Sequence, residues 1–108
     1  MKTLKIIRYC NTQETVARGL MGIHFSSNEC ALFVFSQKAI WPVWGKGMLQ
    51  DCSANYCADG IVQESLFIPA GCLDAVVPEN EYMIMFETSL PFAGAHVSFL
   101  PDRILVDA

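Results

Sequence analysis

A chain of 108 residues with 53% hydrophobic and 17% charged side chains is long enough for one hydrophobic core and too short for two, and too apolar to be a disordered tail. Seven Lys/Arg against eleven Asp/Glu leave a net charge of −4. A nucleic-acid binder needs a dense basic patch to neutralise several phosphates; here the cations are spread out and outnumbered, so nucleic acid is not an expected partner. The expectation is a single domain over residues 1–108.

Leu4 to Cys10 is rich in β-formers and predicts a first strand. Lys5 and Arg8 interrupt the apolar core that an export signal requires, so a cytoplasmic location is expected. Asn11-Thr12-Gln13-Glu14 reads as a helix start, the Asn11 side chain accepting from a backbone N–H three residues on and Glu14 reaching back. Val16, Ala17, Leu20 and Met21 recur at helical spacing, and Gly19 and Gly22 end the helix early, which gives one short helix over about residues 12–21. After the Ser26-Ser27-Asn28 turn, the continuous apolar run Ala31 to Phe35 predicts a central strand buried on both faces.

Beyond it, brief β signals follow at Ile40 to Trp44 (interrupted by Pro42), Met48 to Cys52, Ile61 to Ile68, Tyr82 to Phe86, His96 to Phe99 and Arg103 to Val106. Gly45, Gly47, Asp59-Gly60, Pro69-Ala70-Gly71, Pro78-Glu79-Asn80, Pro91 and Pro101-Asp102 punctuate them as reversals. Many short strands and almost no helix predict a mainly β fold: a jelly-roll-like β-sandwich or barrel with one short N-terminal helix. The apolar run Ser65 to Cys72 contains Pro69 and Gly71 and stops well short of the about 20 residues a bilayer needs, so no membrane partner is expected. Residues 1–48 carry six Lys/Arg against Glu14 and Glu29, and residues 49–108 carry Arg103 against nine acids, so the two halves are expected to pair inside the fold.

Arg18-Gly19-Leu20-Met21, Cys30-Ala31-Leu32-Phe33-Val34-Phe35 and Trp44-Gly45-Lys46-Gly47-Met48 follow one another in an order and spacing that resembles the domain of unknown function 192 family. That family's pattern is a helix ending in Gly-Leu-Met, a Gly-Met-Leu-Phe-x-Phe strand, a Trp-Met-Lys-Asn-Thr segment and an Asp-x-x-Gly turn, the last resembled by Asp59-Gly60-Ile61-Val62. The resemblance covers roughly residues 4–68 and implies a small jelly-roll-like sandwich. Gly45, Gly47, Met48 and Ser53 depart from the family's Met, Asn, Thr and Asp, and Met85 falls where its Tyr-Val-Leu-Glu-Leu strand has Glu. The chain is thus similar to a divergent member, and the likeness implies a fold without a mechanism.

Trp41, Trp44, Lys46 and Arg18 form the candidate ligand-binding set: indole faces for a flat or sugar-like ligand and cations for an anionic group. The competing reading makes one Trp core and the other its cover, with Lys46 lying along the rim. Five cysteines, an odd number without a two-residue gap, are expected to be reduced and mostly packed. Cys52 and Cys57 lie five apart, and His24 and His96 have no helical i, i+4 spacing, so these residues, Asp51 included, are expected to be structural rather than metal ligands.

No nucleophile elbow, phosphate loop or dinucleotide fingerprint occurs, so neither a catalytic residue nor a cofactor is assigned. The expected function is a non-catalytic module binding a small molecule or a protein. The alternative is a small hydrolase-like enzyme in which Cys30 or Cys52 meets His24 or His96 in a cleft. Met83 and Met85 alternate with Tyr82, Ile84 and Phe86, a strand apolar on both faces. Such a strand is core by default, and a route to a homo-oligomer if it is uncovered.

Overall fold

Strands β1 (Lys2–Cys10) and β2 (Glu29–Ala39) are joined by helix α1 (Gln13–Arg18) and run parallel, the arrangement that needs a crossover rather than a hairpin. The computed structural model describes residues 1–107; Ala108, the last residue of the expected domain, lies outside them. The remaining strands are β3 (Cys52–Ala58), β4 (Ile61–Ile68), β5 (Tyr82–Thr88), β6 (His96–Phe99) and β7 (Arg103–Asp107). All seven close one barrel in the order β1-β2-β5-β3-β4-β6-β7, so of the two expected architectures the fold is the barrel, and the strands named leave no open edge. Among the described residues no helix is long and apolar enough to cross a membrane.

Two apolar clusters follow from strand alternation. Leu4, Cys30, Cys57, Val62, Phe86, Val97 and Ile104, one from each strand, belong to the cluster that fills the barrel. Cys10, Phe33, Phe35, Ala54, Tyr56 and Met85 belong to a second cluster on the outer face of β2, β3 and β5, beneath Leu20, Val16 and Trp41. β2 serves both clusters because its successive side chains point to opposite faces, so Ala31 to Phe35 is the central strand expected. β1 does the same, Ile6 packing with the first cluster and Ile7 with the second, and its register against β2 shifts between Ile6 and Arg8.

Several expectations are corrected. The one short helix is present as expected, over Gln13–Arg18, but its N-cap is Thr12, not Asn11. Thr12 Oγ1 accepts from the Thr15 N–H at 3.1 Å, while the Thr12 N–H donates to Thr15 Oγ1 at 2.9 Å. Thr15 thus takes the role expected of Glu14. Ile40–Trp44 and Met48–Cys52 are not strands; β3 begins at Cys52 and runs through Ser53 and Asn55, polar residues that mask its strand character. Asn55 is fully buried because its side chain is satisfied: it donates to Leu90 O at 3.1 Å and accepts from the Phe92 N–H at 2.8 Å and Ser65 Oγ at 2.6 Å. Among the described residues the ion pairs are Arg18–Glu14 and Arg103–Asp102, both local, so the basic and acidic halves do not pair with each other.

Candidate functional site

The segment 41–48 has no strand ladder, and other contacts hold it. Val43 and Val76 exchange two backbone hydrogen bonds, at 3.0 and 2.7 Å. The Gly45 N–H donates to Cys72 O at 2.9 Å, and Gly45 O accepts from the Gly71 N–H at 2.8 Å. A Cβ at position 45 would stand 2.0 Å from Pro69 O, so glycine, where the resembled family has Met, is what lets the two segments touch. From below, the Tyr56 hydroxyl donates to Trp41 O at 2.6 Å. The Trp41 ring stacks on Phe35 at 4.5 Å with 11° between planes, and its indole N–H donates to Gln37 O at 3.0 Å.

The turn after α1 is the facing wall. Arg8 Nη1 donates to Gly19 O at 2.7 Å and Met21 O at 3.1 Å, taking up carbonyls that the short helix leaves free. The Gly22 N–H donates to Gly47 O at 2.9 Å and ties this turn to the Trp segment. Between the two lies a cavity of about 140 Å³ lined by Arg18, Trp41, Trp44 and Lys46 together with Gly19, Leu20, Phe33, Phe35, Met48 and Glu87. The four candidate residues, 23 or more positions apart between Arg18 and the Trp segment, therefore face one concavity. Trp44 is 44% exposed with Lys46 Nζ 5.2 Å from its ring centre, a cation held on an indole face. Arg18 sits at the rim, 3.3 Å from the exposed Glu14 carboxylate. A second recess on the other side of α1, about 530 Å³, shares Val16, Ala17, Phe35 and Trp41 with the first.

Glu87 is the member that sequence reasoning missed. It lies on β5 opposite Ala31 of β2 and Ala54 of β3, and only 5% of it is exposed. Gly19 makes room for it: a Cβ there would stand 2.9 Å from Glu87 Oε1, and its φ of +47° is one that other residues rarely adopt. Burial pushes the carboxyl up to about 7, against a smaller opposing effect of the Leu20 N–H donated to it. A usable signal existed. Glu87 stands two residues after buried Met85, so alternation alone puts the acid on the same covered face. The resemblance places Met85 where the family has Glu, and in the structure the strand's carboxylate comes two positions later.

The other chemistry-bearing residues do not assemble. Cys10, Cys30, Cys52 and Cys57 are buried and Cys72 half-buried, all free, as packed reduced thiols should be. Burial pushes Cys10 up to about 11 and Cys30 and Cys57 up to about 12, and raises Cys52 further with help from Glu87 and Asp51. These groups are thiols, not thiolate nucleophiles, near neutral pH. His24 and His96 are both exposed, and among the described residues no cluster of three His, Cys, Asp or Glu could hold a metal ion. On β5, Met85 is buried while Met83 is 44% exposed, so the strand is covered on one face only at that end.

No protein-family model matches the chain, and no curated protein matches it. The fold is similar to that of a proposed transcription regulator from Sinorhizobium meliloti 1021, with a TM-score of 0.71 and 13% identity over 82% of this chain and 79% of that one. It is also similar to a protein of unknown function from Novosphingobium aromaticivorans DSM 12444, with a TM-score of 0.70 and 13% identity over 75% of this chain. The match spans 60% of that second protein's length. At such identities the likeness is one of fold alone: the chain is a small, mainly β barrel of an architecture already seen in two bacterial proteins.

Proposed function

We propose that the protein is a non-catalytic binding module that takes a small ligand in the cavity walled by Trp41 and Trp44 and rimmed by Lys46 and Arg18. One observation carries the reading: those four side chains line the same concavity. Aromatic walls with a few polar anchors are what small-molecule sites need, and the buried, protonated thiols offer no activated nucleophile beside it. The same reading takes the chain as a divergent, jelly-roll-like member of the domain of unknown function 192 family, working in the cytoplasm.

A fragment screen read by amide NMR tests the binding role. Hits should shift the signals of Gly19 to Met21 and Trp41 to Lys46. Trp44→Ala should weaken them at least tenfold with little change in melting temperature, because that ring is 44% exposed. Hits scattered over the surface, or indifferent to Trp44→Ala, would rule the reading out.

A further inference from the structure

Resting on that reading, we propose that the ligand is a small zwitterion with its charges at opposite ends of a short apolar or flat body, the ammonium seated on Glu87 and the acidic group at Lys46 and Arg18. The inner end is set by what Glu87 lacks. It is 5% exposed, reaches the cavity, and receives the Leu20 N–H. Among the described residues no cation pairs with it, since the ion pairs are Arg18–Glu14 and Arg103–Asp102. A buried carboxylate with no counter-charge is costly, and a ligand ammonium removes that cost. Phe33, Phe35, Trp41 and Trp44 surround the same space, and aromatic faces attract cations.

The outer end is set by the rim. A simple cation would have to pass Lys46 and Arg18, whereas a ligand carrying an anion at its far end meets them favourably. Size follows from the volume, about 140 Å³: an apolar cavity of about 150 Å³ accommodates benzene, so one ring or a short chain fills it.

Titration should follow the same geometry. Cys10 on β1 and Cys52 and Tyr56 on β3 are raised chiefly by burial and further by the nearby Glu87, and all are neutral between about pH 5 and 9. The cations about the cavity are Arg18 and Lys46 in its lining and Arg8, which is bonded to Gly19 O. Glu87 is then the group that changes charge, its carboxyl at about 7, and an ammonium that binds its ionised form displaces a proton to solvent. Affinity should rise about tenfold from about pH 6 to about pH 8.

Calorimetry with three matched probes tests this: 4-(aminomethyl)benzoate, 4-methylbenzylamine and 4-methylbenzoate. The zwitterion should bind at least tenfold tighter than either singly charged analogue, with proton release seen as a buffer-dependent enthalpy at pH 7. Glu87→Gln should abolish the proton release and the preference for an amine, and Lys46→Gln should reduce only the preference for the carboxylate. The pH profile of the unmutated protein keeps the test valid if either variant folds poorly. Equal affinity for 4-methylbenzoate and the zwitterion, or no binding by any of the three while other fragments occupy the cavity, overturns the inference and leaves the binding role standing. A cavity that takes no occupant of any kind overturns the binding role itself.

Discussion

Glu87 holds its proton more tightly in the folded chain than in the unfolded one, because burial lifts its carboxyl from 4.5 to about 7. Between those values the unfolded chain has lost the proton and the folded chain has kept it, so stability falls as pH rises through the window, by roughly 3 kcal/mol in all. Urea midpoints should therefore be higher at about pH 5.5 than at about pH 8, and Glu87→Gln should flatten the difference. An unchanged slope in that variant would place the titrating group elsewhere. The thiols give a second expectation. Cys72 alone is half-buried while the other four are buried, so a thiol reagent should label one cysteine quickly in the native protein and the rest only on unfolding. Rapid native labelling of Cys10, Cys30, Cys52 or Cys57 would contradict the packing described. The rim and walls were legible in the sequence because Trp and cations at close spacing advertise a surface. Glu87 was not, since a lone acid in an apolar strand is marked only by the parity of its position.

The 41–48 segment works as an element although it has no ladder of its own, and its shape depends on Gly45. A methyl group there would meet Pro69 O at 2.0 Å, a backbone atom with no side-chain freedom to retreat. Gly45→Ala should cost roughly 1 to 3 kcal/mol. Amide exchange should speed up first at Val43 and Val76, whose mutual hydrogen bonds hold the outer wall, and ligand affinity should drop with it. Equal exchange rates in variant and parent would show that the wall is held by something else. The sequence marks Gly45 and Pro69 separately as breakers, but which two breakers touch is a tertiary fact. The same limit explains the strands. Runs with continuous or alternating β-formers, such as Ile61–Ile68 and His96–Phe99, were readable from pattern. β3 was not, because Ser53 and Asn55 are polar in a strand whose residues from Cys52 to Cys57 are all buried, and the distant Ser65, Leu90 and Phe92 supply the shorter hydrogen bonds that satisfy Asn55.

At the scale of the whole molecule, the barrel is closed by its outermost strands, Lys2 of β1 lying opposite Val106 of β7. Removing residues 103–108 would strip β1 and β6 of their shared neighbour and uncover Leu4 and Val97 of the filled interior. Such open strands are templates for association. The truncated chain should sediment as a heterogeneous aggregate and lose dispersed amide signals; a monomer with a native spectrum would mean that closure is dispensable. Mainly β character and one early helix could be read from Gly and Pro punctuation. Closure could not, because the parallel pairing of β1 with β2 and the return of β7 to β1 join segments whose sequences carry no mark of each other.

That long-range join also orders events during synthesis. β1 leaves the ribosome 93 residues before β7 begins, a delay of roughly 5 to 20 seconds at ordinary elongation rates. As synthesis proceeds, Leu4, then Leu32 and finally Phe86 join a sheet that still lacks its closing strand. Until that final strand arrives, unpaired edges and apolar side chains of this kind are open to association.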